Sequence, residues 1–166
     1  MTAYLAAWND RDADRVSSFF ADDAVYDDRG AGEVATGRDG IREHVARVHR
    51  GFPDLHFELV RAAHGESFTA GEWRSSMTHG GEFAGLAPTG RLVESSGVDV
   101  ATVDDEGRIT HLVSYYDGAE IMRALGLLPA RGSRTERGLV GLVSALSPVR
   151  RRGARRDAPR TTRGSA

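Results

Sequence analysis

Cysteine is missing from the sequence, which excludes disulfides, thiolate metal sites and a cysteine nucleophile. Long apolar runs are missing too: no stretch approaches the ~20 residues needed to span a bilayer. The opening MTAYLAAWND lacks the basic start and cleavage pattern of a signal peptide, so a cytoplasmic protein is the expectation. No two histidines have the spacing of a zinc site, and no glycine-rich segment follows a strand as a nucleotide loop requires. Neither a metal nor a cofactor is therefore expected. No internal repeat is visible.

What is present is unevenly distributed. With 166 residues and 40% of them hydrophobic, the chain suits one globular domain with some tail left over. Residues 1–130 carry 12 Arg against 22 Asp and Glu, a net charge of -10, whereas residues 131–166 carry 10 Arg against 2 acids, a net +8. An acidic body repels phosphate, so nucleic acid is not expected to bind there. The basic segment 131–166 is expected to be mostly disordered, with a short amphipathic helix at 135–146. It has three readings: a solvated end, a hold on an acidic partner or anionic membrane surface, or a salt-dependent contact with the body.

Tyr4, Leu5, Trp8, Val16, Phe19 and Phe20 recur at helical spacing, broken by the polar run from Asn9 to Asp14, which predicts two consecutive helices. A short strand is expected at 24–26 and a glycine-bearing loop at 28–37. Asp39 can cap a third helix, with Ile41, Val45 and Val48 on one face and Gly51 and Pro53 at its end. After Pro53 the pattern changes to strands at 55–64, 67–79, 92–103 and 108–116, then a short helix at 119–125. Helices first and a strand meander afterwards indicate α+β: a curved antiparallel sheet wrapped around N-terminal helices, with one interior pocket.

Several segments carry a family likeness: YLAAWNDRD from Tyr4, FADDAVYDD from Phe20, FAGLAPTGR from Phe83, Gly97-Val98-Asp99, Gly107-Arg108-Ile109 and Leu125-Gly126-Leu127. Over roughly residues 3–129 the chain resembles the SnoaL-like polyketide cyclases and ketosteroid isomerases of the nuclear transport factor two-like superfamily. The resemblance implies a cone-shaped domain, a homodimer and a small hydrophobic substrate. By position, ketosteroid isomerase implies Asp28 as the base and Tyr4 and Asp99 as donors to a substrate oxyanion. Many cyclases of the family place a catalytic Asp on the last strand, where this chain has Ser114, with Asp117 the nearest carboxylate.

Removing a proton beside a carbonyl needs a base near the carbon and donors aimed at the oxygen. Burial raises the pKa of an Asp, strengthening one carboxylate as a base or keeping another protonated as a donor, as in ketosteroid isomerase. Asp28 and Asp99 are expected to divide these roles. The plainer readings are that Asp28 lies in a solvated turn, Asp99 pairs with Arg74, and Tyr4 is a core aromatic. Strand alternation puts Trp73, Ser75, Met77 and His79 on one face, and His111, Val113, Tyr115 and Asp117 on another. With Phe83, Leu86, Ser114 and Tyr115, the first set is the expected substrate wall. His79 and His111 are candidate proton shuttles, and Asp117 a candidate acid or base. The residue set fits an isomerase or cyclase working through an enolate. It also fits an epoxide hydrolase with paired carboxylates, or a non-catalytic ligand-binding or dimerisation module.

Overall fold

Tyr4, Leu5, Ala7 and Trp8 are the buried face of helix α1 (Thr2–Asn9), and their spacing turns all four toward the same neighbours. Asp12 then caps α2 (Ala13–Ser18) by accepting from the Arg15 amide at 2.9 Å. In this computed structural model, which describes residues 1–146, the chain forms two compact units, 1–129 and 130 onward.

Strand β1 (Phe20–Asp28) is longer than expected from its three apolar residues at 24–26. Asp22 and Asp23 hide it, being exposed where the register with its neighbour shifts. The expected loop at 28–37 holds a further strand, β2 (Glu33–Thr36), which pairs antiparallel with β1 through a tight turn. Thr36 rather than Asp39 occupies the N-cap of α3 (Gly37–Gly51), where Asp39 instead supplies negative charge to the first turn.

Strands β3 (His56–His64), β4 (Phe68–Thr78), β5 (Leu92–Val103) and β6 (Ile109–Tyr116) form an antiparallel meander. The six strands run in the order β2-β1-β6-β5-β4-β3, and β1 lies parallel to β6, so the sheet is not wholly antiparallel as expected. Placing β1 there requires the whole chain between β1 and β6 as a crossover, a pairing no local pattern announces.

Helix α1 packs on β3 and α3 on β1, leaving Phe20, Ile41, Val45, Val93 and Leu112 fully enclosed. Each such side chain contributes about 1.5–3 kcal/mol by leaving water. The unit is of the α+β class, a curved sheet with helices. Helix α4 (Gly118–Leu125) closes it, ending at Gly126, whose φ of 85° is the left-handed stop that glycine adopts without strain.

In the second unit, helix α5 (Arg134–Leu146) begins with the Glu136 amide donating to Ser133 Oγ at 3.0 Å. It exposes Leu139, Val140, Leu142, Val143 and Leu146. The arginine-rich stretch expected to be disordered beyond it lies outside the described residues.

Candidate active site

The inner face of the sheet, α1, α3 and α4 surround a cavity of about 100 Å³, partly open to solvent. Its walls are apolar and aromatic: Trp8, Tyr26, Phe52, Phe57, Trp73 and Tyr116 supply rings, and Val48, Leu55, Met77, Ile121 and Met122 the aliphatic surface. The polar groups are few and convergent, Asp28, Glu33 and His44 on one side and Ser75, Ser95 and Ser114 along the strands. An apolar cavity with a few aimed polar groups is the usual form of a small-molecule site.

Asp99 is buried just behind this wall, in the middle of β5. Trp73 Nε1 donates to its Oδ1 at 2.9 Å, and Ser114 Oγ donates to the same oxygen at 2.7 Å. Arg74, a possible partner from the sequence, is on the opposite face of β4 and exposed. Gly97 makes the Trp73 bond possible, because a methyl group there would lie 2.5 Å from both the indole ring and the Tyr115 carbonyl. Burial pushes the Asp99 carboxyl up to about 6; the Ser114 and Trp73 bonds oppose the shift and the Asp28 charge adds to it. Since both hydrogen bonds fall on Oδ1, a protonated Asp99 carries its proton on Oδ2.

Tyr4 stands next to this group. Its ring packs edge-on against Trp8, Phe19 and Phe20, and its hydroxyl, though near Trp8 and Tyr26, meets neither at hydrogen-bonding geometry and is buried unpaired. Burial first, and the Asp99 charge second, push that hydroxyl well above its ordinary value, so it remains a donor. An unpaired buried hydroxyl costs about 1–3 kcal/mol, which a ligand oxygen would relieve.

Asp28 ends β1 with its side chain buried. Its Oδ1 accepts from the Ala31 amide at 2.9 Å, and Oδ2 lies 3.6 Å from His44 Nε2. The other ring nitrogen, His44 Nδ1, is 3.4 Å from Glu33 Oε2 and 3.1 Å from Arg47 Nη2, and Arg47 also pairs with Glu33. Tyr116 approaches from β6; burial and then the Asp28 charge push its hydroxyl up, keeping it protonated.

The other expected site residues fall into three groups. Trp73, Ser75, Met77, Phe83 and Ser114 line the cavity together with Asp28. His79 is buried but outside the lining, tilted against Phe52 with its Nδ1 held by Thr89, and Leu86 is half-buried where it bridges Phe83. His111 and Tyr115 are corrections: the inward side chains of β6 are Leu112, Ser114 and Tyr116, so both lie on the outer, exposed face. Asp117 is a correction as well, since its carboxylate caps α4 by accepting from the Ala119 and Glu120 amides.

Sequence reasoning missed His44, Tyr26, Glu33 and Tyr116. A signal existed for His44, which completes the i, i+3, i+4, i+7 face of α3 with Ile41, Val45 and Val48. For Tyr26 and Tyr116 it was strand parity with Asp28 and Ser114. Among the described residues no cluster of three His or acidic side chains could hold a metal ion, and no helix is long and apolar enough to cross a membrane.

No curated protein matches the sequence. Among solved structures, the chain is similar to AclR of Streptomyces galilaeus, a proposed hydroxylase, at 24% identity over 87% of this chain and 90% of that one, with a TM-score of 0.69. It is similar to IdmH of Streptomyces antibioticus, a proposed polyketide cyclase, at 25% identity over 75% and 94%, with a TM-score of 0.63. A protein of ketosteroid isomerase-like fold from Catenulispora acidiphila shares 22% identity over 80% and 95%, with a TM-score of 0.66. The model of the SnoaL-like polyketide cyclases matches residues 1–125, and with the fold and cavity described above the chain belongs to that family.

Proposed function

We propose that the cavity performs proton transfer on a small hydrophobic carbonyl compound through an enolate, as a polyketide-type cyclase or a double-bond isomerase. The observation that carries this reading is Asp99, a buried carboxyl held through one oxygen and pushed up to about 6 by burial, beside a second buried carboxylate at Asp28. Two carboxyl groups kept in different environments can serve as acid and base in one site.

In this reading Asp28 takes the proton from the carbon next to the carbonyl. The C–H pair becomes the carbon–carbon double bond of the enolate, and the carbonyl oxygen gains the negative charge. The Tyr4 hydroxyl donates to that oxygen, and so does Asp99 Oδ2–H while the carboxyl keeps its proton, a form that is lost as pH rises past about 6; such preorganised donors act most strongly there. In ring closure the enolate carbon attacks a second carbonyl of the same molecule, and the proton held by Asp28 passes to the new alkoxide, which restores the base. In isomerisation Asp28 returns its proton to a different carbon. The sequence contains no cysteine, and all its basic side chains other than histidine are arginines, so neither a thioester nor a lysine Schiff base competes with this route.

Incubation in D2O with aromatic β-diketones and aryl methyl ketones, followed by proton NMR, tests the proposal without the natural substrate. The expected result is loss of the α-proton signal at least a hundredfold faster than in buffer at the same pH, a typical size for general base catalysis. Exchange at the buffer rate for every compound would overturn it.

A further inference from the structure

Arg47 and His44 stand one turn apart on α3; His44 lines the cavity beside Asp28, and the Arg47 guanidinium lies against the His44 ring. A guanidinium can only donate hydrogen bonds, and Arg47 Nη2 lies 3.1 Å from His44 Nδ1. In the neutral ring Nδ1 must then be the acceptor, which leaves the ring proton on Nε2. That nitrogen faces Asp28 Oδ2 at 3.6 Å, longer than a hydrogen bond and closed by a shift of about half an ångström. Catalytic contacts of this kind commonly tighten when a ligand binds.

From this geometry we infer that His44 is a positioning residue: Arg47 fixes its tautomer, and its Nε2–H steadies and orients the ionised Asp28 carboxylate. The inference rests on the reading of Asp28 as the base. The rest of the surroundings agree. Asp28 Oδ1 accepts from the Ala31 amide, the Tyr116 hydroxyl approaches the same carboxylate, and Oδ2 is the oxygen that faces the His44 ring. His44 is buried, its ring tilted against Tyr26 at a centroid distance of 5.0 Å, so its orientation is held by packing.

The charged and titratable groups around the ring are Asp28 and Tyr26 of β1, Glu33 of β2 and Arg47 of α3, with Tyr116 of β6 reaching the same carboxylate. Burial pushes the imidazole below its ordinary value and Arg47 helps; the Asp28 and Glu33 charges pull the other way. The lowered value favours the neutral ring at pH 7, the form whose single proton Arg47 directs to Nε2. A second proton on Nδ1 would have to turn toward Glu33 Oε2, at 3.4 Å, and would face Arg47 donor to donor.

Long-range 15N–1H NMR of the histidine rings tests the tautomer with no substrate present. At pH 7 His44 should show a protonated Nε2 and a bare Nδ1, and Arg47→Met should replace this by a mixture of the two tautomers. The consequence for Asp28 is read from the acid limb of the pH profile for α-proton exchange. Without the donor, the limb of His44→Leu should move up by about one pH unit, a tenfold change in proton affinity. His44→Gln, whose amide nitrogen reaches the same place, should return it to the wild-type position. A protonated Nδ1 in the wild-type ring, or a His44→Leu limb that overlies wild type, would overturn the inference. Absence of exchange in every protein would instead sink the carbon-acid reading of the cavity, and the tautomer would still decide whether Arg47 sets the ring.

Discussion

Asp28→Asn is expected to slow α-proton exchange by about 10²–10⁴, the range for losing a general base, or some 3–5 kcal/mol of transition-state stabilisation. The substitution is mild in every other respect. The amide oxygen of Asn can still accept from the Ala31 amide, as Oδ1 does at 2.9 Å, and the buried volume hardly changes. Only the ability to take a proton from carbon is lost. A direct comparison of exchange rates at equal folded concentration reads the effect, and a rate within about tenfold of wild type would exclude Asp28 as the base. The oxyanion side behaves differently. Asp99→Ala removes a donor and should cost about 10²–10³, whereas Asp99→Asn leaves an N–H where Oδ2 stood and should lose far less.

The second large effect is on stability. The folded protein holds the Asp99 proton more tightly than the unfolded chain does, because burial raises the carboxyl from 3.8 to about 6. Between those two values the folded state binds more protons, so stability falls as pH rises through this window. Below about pH 4 the penalty is absent, and above about 6 it is complete, at roughly 3 kcal/mol. Asp99→Asn keeps an oxygen for Trp73 Nε1 and Ser114 Oγ but never ionises. It should therefore be about 3 kcal/mol more stable than wild type at pH 7 and equal to it near pH 4. Urea midpoints at the two pH values measure this directly, and equal midpoints at pH 7 would show that Asp99 ionises without cost. The wild-type chain thus carries a destabilised group at the place where the proposed chemistry uses it, a common relation between stability and activity.

The meander was legible because its segments are long and separated by glycine and aspartate turns, and because the last two, β5 and β6, are rich in β-branched residues. Strand β5 has the expected bounds, and the edges of β3, β4 and β6 move by one residue. The first hairpin was not. Asp22 and Asp23 interrupt the apolar signal of β1, and β2 has only four residues, which alternate between the faces with charged Glu33 half-buried and apolar Val34 exposed, so polarity does not report the faces of either strand. The parallel β1 and β6 pairing joins residues some ninety apart and depends on tertiary packing alone.

The site divides in the same way. Asp99 between two valines stood out because a carboxylate in an apolar strand needs a reason, and its surroundings supply one in Trp73 and Ser114. Tyr115 and Tyr116 are adjacent, and only the register of β6 against β5, which shifts between Thr102 and Val103, determines which ring turns inward. The pairing of Asp28 with His44 joins a strand end to a helix, and no spacing in the sequence encodes it.

Titration of Asp99 by 13C NMR of its side-chain carboxyl, with Asp99→Asn used to assign the signal, tests the account at its centre. A midpoint at about 6 is predicted. A midpoint near 3.8, the value of a solvated carboxylate, would contradict it.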